Sequence, residues 1–169
     1  MANNLIRIIT VGTVLAVLAV FVSLFIREPY LVLTNAHSGT LLLRERTSEG
    51  EIFSIHFIHS VNKSPVTEIY EIRNGQIVLV ALEFETFGAG MPTELESGQS
   101  LIRLPEGGMR IVGIDRVMED FHYMIGYNSG LTINFGERQV PLDTLDAAGQ
   151  PVRIALQQLN IWQRLLNII

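Results

Sequence analysis

The sequence contains no cysteine among its 169 residues. This absence excludes disulfide bonds, thiolate metal sites and a cysteine nucleophile. It does not exclude a location outside the cytoplasm, because a domain of this size can be held by its hydrophobic core alone. Low-complexity tracts and repeats of about 20–50 residues are also absent. The chain is therefore long enough for one ordinary domain plus a membrane segment.

The charge balance is wrong for a nucleic-acid-binding protein. Arg7 is the single charged side chain before residue 27, so the other 11 of the 12 basic residues and all 17 acidic residues follow it. The chain from residue 27 onward is acidic and carries no basic stripe that could contact phosphates. We therefore expect no nucleic-acid partner.

A long uncharged run lies near the N-terminus. Ile8–Ile26 contains 19 residues without a charge, and as a helix it would span about 28 Å, close to the ~30 Å of a bilayer core. A buried core helix is disfavoured because the run is apolar on every side. A cleaved signal peptide would need a shorter apolar region and a small-residue cleavage site directly after it. We expect residues 1–28 to be a transmembrane anchor and residues 29–169 to be one domain.

The flanking charges predict the orientation of this anchor. Arg7 and the N-terminal amine precede the apolar run without an acidic residue, whereas Arg27 is balanced by Glu28. The positive-inside tendency places the N-terminus in the cytoplasm and residues 27–169 outside it. The expected protein is a single-pass protein of the cytoplasmic membrane.

The segments after residue 29 have the two-residue period of strands. In Ile52–His59, for example, Phe53, Ile55 and Phe57 share one face. Asn74-Gly75 is a strong hairpin signal, because both positions tolerate positive φ. Many short strands separated by turns predict a mainly β domain, an antiparallel β-sandwich or partly open barrel. The predicted strands are Tyr30–Thr34, Thr40–Arg46, Ile52–His59, Val66–Ile72, Gln76–Phe84, Leu101–Leu104, Arg110–Ile114, His122–Tyr127, Leu131–Phe135 and Val152–Leu156.

The C-terminus is predicted to form an amphipathic helix. It could close the β core, or it could dock on a partner or on the membrane surface, where a tryptophan is well suited. Because Arg164 is its one charged residue, a partner is favoured over anionic lipid. One half of the helical wheel carries the apolar side chains Leu159, Ile161, Trp162, Leu165, Leu166, Ile168 and Ile169.

A hairpin formed by the third and fourth predicted strands places polar residues on an apolar face. If residue 59 pairs with 66 and residue 57 with 68, His59 and Glu68 are diagonal neighbours, with about 7 Å between their backbones. A buried carboxylate beside an imidazole is costly unless the two form a hydrogen bond or meet a polar ligand. His59 and Glu68, with Ser60 beside them, are therefore a structural pair, a ligand-binding site or, least favoured, a catalytic site.

Hydrolase and zinc chemistry are both disfavoured. Ser60 points to the opposite strand face from His59, so His59 cannot easily serve as its base, and no Gly-x-Ser-x-Gly elbow is present. A zinc site is weakly supported, because two histidines three residues apart on a strand face opposite ways. We expect no metal, cofactor or enzymatic activity. The histidines considered are His37, His56, His59 and His122.

A second motif is the glycine-rich stretch Gly88-Ala89-Gly90-Met91-Pro92, which follows Phe87. Its glycines permit unusual backbone angles and the close approach of a ligand or another chain. Its amides could form an anion-binding nest, although it lacks the strand-to-helix setting of a phosphate loop. It is either a simple corner between sheets or a recognition loop that lies against the His59/Glu68 hairpin.

Together these two motifs resemble a known family. His59-Ser60-Val61, Pro65-Val66-Thr67-Glu68 and the Phe87–Pro92 loop resemble the pattern of the prokaryotic domain-of-unknown-function family eighteen-fifty, over most of residues 30–156. Members are small, often exported or anchored, and encoded beside TRAP transporters of the TAXI type. The resemblance therefore implies a non-enzymatic accessory subunit that contacts the TRAP permease or its TAXI-type binding protein. A small-ligand binding or sensing module is the alternative, and an envelope hydrolase is the least favoured function.

Overall fold

The computed structural model describes residues 2–61, 63–85, 94–126, 130–145 and 149–166. The described part contains an N-terminal helix, eleven strands, one 3₁₀ turn and a short C-terminal helix. Their bounds are α1 Ala2–Phe25, β1 Arg27–Asn35, β2 Leu41–Arg46, β3 Ile52–Ile58, β4 Pro65–Arg73, β5 Gln76–Phe84, β6 Ser100–Arg103, β7 Met109–Met118, β8 Asp120–Met124, β9 Thr132–Phe135, β10 Arg138–Pro141, the 3₁₀ turn Leu142–Thr144, β11 Pro151–Asn160 and α2 Ile161–Leu165.

The strands form two antiparallel sheets. The smaller sheet has the order β2-β1-β11-β8, and the larger has the order β10-β9-β3-β4-β5-β7-β6. Their inner faces pack into one core, to which the smaller sheet contributes Leu31 and Ile154 and the larger Ile55 and Ile133, all 0% exposed. Burying each such side chain contributes roughly 1.5–3 kcal/mol. The prediction of a mainly β, sandwich-like domain is confirmed.

The predicted pairing of β3 with β4 is partly right. Phe53 and Ile55 lie on the buried face of the sheet, as the alternation predicted, and Val66 and Tyr70 on β4 share that face. The register is wrong by two residues, however, because Phe57 pairs with Val66, not with residue 68. A shift of two residues leaves every side chain on its face, so the alternating pattern cannot detect it.

The loop between β3 and β4 sets this register. The His59 N–H donates to the Ser64 carbonyl at 2.9 Å, and the Lys63 N–H donates to the His59 carbonyl at 2.9 Å. Lys63 has a φ of 54° in this turn. As a result Glu68 pairs with Ile55, so it is not the diagonal neighbour of His59 that the sequence predicted.

Two predicted element boundaries are also corrected. The four-residue strand β10 was not predicted; it follows the turn at Gly136 and pairs with β9. Leu159 was assigned to the C-terminal helix but lies in β11, opposite Glu28. Its side chain is 2% exposed and packs with Tyr30 and Val32, so burial extends the strand to Asn160.

The N-terminal helix is joined to the sandwich with almost no linker. Its segment Ile6–Phe25 is long and apolar enough to span a membrane, and none of it is buried in the protein. Only Ile26 separates α1 from β1, which pairs with β11 along its whole length, starting from the pair Arg27–Asn160. The end of α1 and the start of α2 therefore lie side by side.

Candidate functional site

A chain of three polar side chains crosses the core of the sandwich. Glu68 and Tyr70 lie two residues apart on β4, so both face the core. The Tyr70 hydroxyl donates to Glu68 Oε2 at 2.7 Å, and its oxygen lies 2.9 Å from the Tyr123 hydroxyl on β8. Because β4 and β8 belong to different sheets, this chain connects the two halves of the fold.

The direction of these hydrogen bonds follows from the donors available. A tyrosine hydroxyl has a single proton, and an ionised carboxylate can only accept. With Glu68 ionised, Tyr70 donates to Glu68, so Tyr123 must donate to Tyr70. Each side chain then satisfies the next one, which a polar group inside an apolar core requires.

Burial has the largest effect on the pKa values of Glu68 and Tyr70. It raises the pKa of the Glu68 carboxyl above its ordinary value of 4.5, although the Tyr70 hydrogen bond and the positive charge of Arg116 act in the opposite direction. The pKa of Tyr70 is raised by burial and by the neighbouring Glu68 charge. Removing water from a charged group disfavours its charged form, so Tyr70 stays neutral and Glu68 holds its proton to a higher pH than an exposed carboxyl.

Aromatic rings hold the two tyrosines in place. Tyr70 lies between Phe53, with ring centroids 5.0 Å apart, and Phe121, at 5.1 Å, and both pairs are stacked. Tyr123 contacts Phe121 edge-on at 5.8 Å and Phe57 at 5.9 Å. Such pairs contribute about 0.5–1.5 kcal/mol each beyond their buried area. The two phenol groups are therefore held in fixed positions.

A cavity of about 440 Å³ opens beside Tyr123. This volume is within the roughly 300–1,000 Å³ of small-molecule sites, and the wall is mostly apolar with a few polar groups, as such sites usually are. Tyr123 belongs both to this wall and to the hydrogen-bonded chain, so the cavity is connected to Glu68. The lining residues are Phe57, Ile58, His59, Ser60, Tyr123, Met124, Gly126 and Leu131.

The strand register places this cavity far from α1. Met124 pairs with Pro151, and the next residue, Val152, pairs with Asn35 at the far end of β1. β1 has nine residues, which at ~3.3 Å each span about 30 Å from the point where α1 joins. The cavity therefore opens at the end of the sandwich opposite the N-terminal helix.

The structure places the predicted site residues in different ways. His59 and Ser60 line the cavity, and His59 Nδ1 accepts a hydrogen bond from the Val61 N–H at 3.3 Å. Glu68 reaches the cavity only through Tyr70 and Tyr123. The grouping of His59, Ser60 and Glu68 as one binding site stays a prediction.

The glycine-rich motif and the last residues of the chain cannot be placed in this way. Residues Gly88, Ala89, Gly90, Met91 and Pro92 lie outside the described residues, and so does Ile169. Of the other predicted docking residues, Leu159 is buried in β11, whereas Trp162, Leu165 and Leu166 are exposed.

Sequence reasoning missed the two tyrosines as site residues. For Tyr70 a signal was present, because the Glu-x-Tyr spacing on one strand places its side chain on the same face as Glu68. Tyr123 had no such signal, because its contact with Tyr70 depends on how the sheets pack. Within the described ranges, no three His, Asp or Glu side chains lie close enough to hold a metal ion.

Comparison with known proteins identifies the family. Residues 53–142, more than half of the chain, match the family model described as Domain of unknown function (DUF1850). The chain belongs to this family. The DUF1850 segment contains β8 and all of the larger sheet except Ile52, but neither α1 nor α2. It includes the site residues His59, Ser60, Glu68, Tyr70 and Tyr123. No curated protein and no solved structure matches this DUF1850 chain.

Proposed function

We propose that this chain is a membrane-anchored, non-enzymatic accessory subunit of a TAXI-type TRAP solute transporter. The resemblance of its motifs to the DUF1850 family supports the link to the transporter. The observation that carries the proposal is the direct join of α1 to β1 through Ile26 alone. A single helix cannot form a transport path, but it can hold a domain beside a permease and raise its effective concentration there.

The domain works outside the cytoplasm in this proposal. Arg7 precedes the apolar helix without an acidic neighbour, which favours a cytoplasmic N-terminus. The sandwich then rises from the outer surface, with the His59/Ser60 cavity at its far end. A soluble TAXI-type binding protein would meet this end, whereas the permease would meet the sides of the domain near the membrane.

A role without catalysis is supported by the hydrogen bonds of Glu68 and His59. Glu68 takes its hydrogen bond from Tyr70, and His59 Nδ1 takes one from the Val61 backbone. A serine hydrolase needs its carboxylate to orient the histidine and the histidine to face the serine. These contacts commit the same groups to the fold.

Affinity purification of the intact chain from its native membrane in mild detergent tests this function. We expect the TRAP permease or the TAXI-type binding protein to co-purify, and a strain that lacks the chain to lose substrate uptake. As a control, an unrelated single-pass helix replaces residues 1–26, and the same partners should still co-purify because the β domain makes the contact. Normal uptake in the deletion strain contradicts the proposal.

Small-ligand binding is a second candidate, favoured by the cavity at His59 and Ser60. Its apolar wall, with an imidazole and two hydroxyls, suits a small molecule that has an apolar body and one polar end. A screen of such compounds should find one that raises the melting temperature of the intact chain, since a ligand of the folded state stabilises it. His59→Ala should abolish the shift, and His122→Ala, on the outer face of β8, should retain it.

Equal shifts in the two histidine variants would place the ligand elsewhere. No shift from any compound, with the chain folded, would remove the support for a binding module and leave the accessory role alone.

A further inference from the structure

Exposed apolar side chains cluster on α2. Ile161 is 41% exposed, Trp162 37%, Leu165 69% and Leu166 64%. Four such residues within one helical turn and a half form a contiguous apolar surface, which soluble proteins usually cover. Leu159, just before the helix, is buried, so the apolar surface begins where the sandwich ends.

Two hydrogen bonds fix where this surface lies. The Trp162 indole N–H donates to Ser23 Oγ at 2.8 Å, and the Asn160 side-chain amide donates to the Leu24 carbonyl at 3.3 Å. Ser23 and Leu24 belong to the last turn of the apolar helix segment Ile6–Phe25. Ser23 is two residues from Phe25, about 3 Å along the helix. The indole is therefore level with the outer end of the membrane-spanning segment.

The polar side of α2 is hydrogen-bonded to the β-sandwich. Arg164 Nη1 donates to Glu28 Oε2 at 2.6 Å and to the Tyr30 hydroxyl oxygen at 2.8 Å. The Arg164 carbonyl oxygen accepts a hydrogen bond from Arg44 Nη2 at 3.1 Å. A capping box between Asn160 and Gln163 fixes the first turn of the helix. The contacts on this side leave the apolar side chains facing away from the β domain.

We propose that α2 lies in the outer interface of the bilayer that α1 spans, with Trp162, Leu165 and Leu166 among the phospholipid headgroups and the first acyl carbons. This inference rests on the membrane anchor of the proposed function. A tryptophan with a bonded N–H and an apolar body is typical of this depth. Arg164, the single charged residue among residues 161–166, is paired with Glu28, so the occupant is zwitterionic rather than anionic lipid.

This contact has a consequence for the whole domain. One helix leaves a domain free to rotate about its axis, but a second attachment beside it removes that freedom. The sandwich is then held in one orientation on the membrane. The His59/Ser60 cavity keeps a fixed position, separated from the end of α1 by the length of β1, about 30 Å for a nine-residue strand at ~3.3 Å per residue.

Trp162 is the only tryptophan in the sequence, so its fluorescence reports on α2 alone. The full chain is reconstituted in phosphatidylcholine vesicles whose acyl chains carry bromine near the headgroup, at mid-chain or near the end. We expect emission at a shorter wavelength than free tryptophan, with the strongest quenching from bromine near the headgroup. Quenching by aqueous acrylamide alone would place Trp162 in water, and protection from both quenchers would place it in a protein contact. Either result overturns the proposal.

Matched variants test the apolar side chains. Leu165→Gln/Leu166→Gln should shift the emission to longer wavelength and reduce quenching by lipid, while circular dichroism shows an intact β domain. The control is Leu101→Gln/Ile102→Gln on β6, an edge strand of the other sheet whose apolar side chains are also exposed, at 42% and 47%. It should leave the emission unchanged. Equal effects from the two pairs, or none from either, would contradict a lipid contact at α2.

Vesicle flotation with carbonate washing separates this inference from the anchor on which it rests. A chain that floats after washing but has a water-exposed Trp162 retains its anchor and refutes only the interfacial helix. A chain that washes off the vesicles refutes both.

Discussion

The hydroxyl oxygens of Tyr70 and Tyr123 lie 2.9 Å apart, and they join the two sheets of the sandwich. Tyr70 also donates a hydrogen bond to the partly buried Glu68 carboxyl, while Tyr123 forms part of a cavity wall. A change at the cavity can therefore reach a titratable group in the core through only two hydrogen bonds. The first two predictions test this connection.

Glu68 should make the stability of the chain fall as pH rises. Burial raises its pKa in the folded state above the ordinary 4.5, so the folded chain binds more protons than the unfolded chain between these two values. The stabilisation that this extra proton gives the folded state is fully present at or below pH 4.5 and is lost as pH rises through the raised pKa of Glu68. Urea unfolding of the chain in detergent at a series of pH values should show this slope in the wild type and lose it in Glu68→Gln.

Glu71 on the same strand provides the control with the opposite sign. Its hydrogen bond to Arg73 lowers its pKa, so its contribution is present above the ordinary value and is lost as pH falls through the lowered one. Glu71→Gln should leave the Glu68 slope intact. If the slope survives in Glu68→Gln, another group causes it.

Tyr70→Phe should destabilise the chain more than Tyr123→Phe. Loss of the Tyr70 hydroxyl leaves two partly buried groups, the Glu68 carboxyl and the Tyr123 hydroxyl, without this partner, which costs about 1–3 kcal/mol. Loss of the Tyr123 hydroxyl removes one donor from Tyr70 and costs roughly 0.5–1.5 kcal/mol. Unfolding free energies of the two variants and the double variant measure the coupling. An equal loss in both single variants would contradict the proposed direction of the hydrogen bonds.

Gly113→Ala should be more damaging than Gly39→Ala. Both glycines have positive φ, 76° and 71°, for which an alanine costs about 1–2 kcal/mol. At Gly39 the added methyl group meets open space, but at Gly113 it would lie 2.4 Å from the Gly98 carbonyl oxygen. The backbone must therefore move there. Gly113→Ala should have the lower melting temperature in thermal unfolding. Similar melting temperatures would show that the backbone at Gly98 moves away from the added methyl group at little cost.

Arg164→Met should release α2, whereas Arg46→Met should not. Both arginines pair with Glu28, but Arg164 also bonds Tyr30 and its side chain is 26% exposed, against 67% for Arg46. An exposed surface pair contributes little, because water and salt screen it. Amide hydrogen exchange of residues 161–166 should become faster in the Arg164 variant only, with β1 and β11 unchanged. Equal exchange in both variants would show that other contacts hold the helix.

The β3–β4 hairpin shows how far sequence patterns reach. Alternating Phe53, Ile55 and Phe57 identified the buried face correctly, because a one-residue error would turn every one of them to solvent. The error of two residues had no such penalty, so only the turn at Lys63 and the bond from His59 to Ser64 decided the register. The candidate site changed as a result, from a His59–Glu68 pair to a Glu68–Tyr70–Tyr123 chain with His59 and Ser60 at the cavity.

The C-terminal end shows a different limit. The pattern from Leu159 to Leu166 predicts an amphipathic helix, and the residues from Ile161 to Leu165 do form a helix. Leu159 does not, because pairing with β1 and packing on Tyr30 stabilise it in the strand. Tertiary burial overrode a local preference that was weak over so few residues.

The sequence by itself determined the apolar helix long enough for a membrane, the mainly β domain and most strand positions, because length, hydropathy and alternation act locally. Tertiary structure alone decided the hairpin register, the contact between Tyr70 and Tyr123, the cavity beside them and the position of α2 against the end of α1. Each of these depends on residues far apart in the chain, and the packing of the two sheets and the pairing of β1 with β11 bring them together.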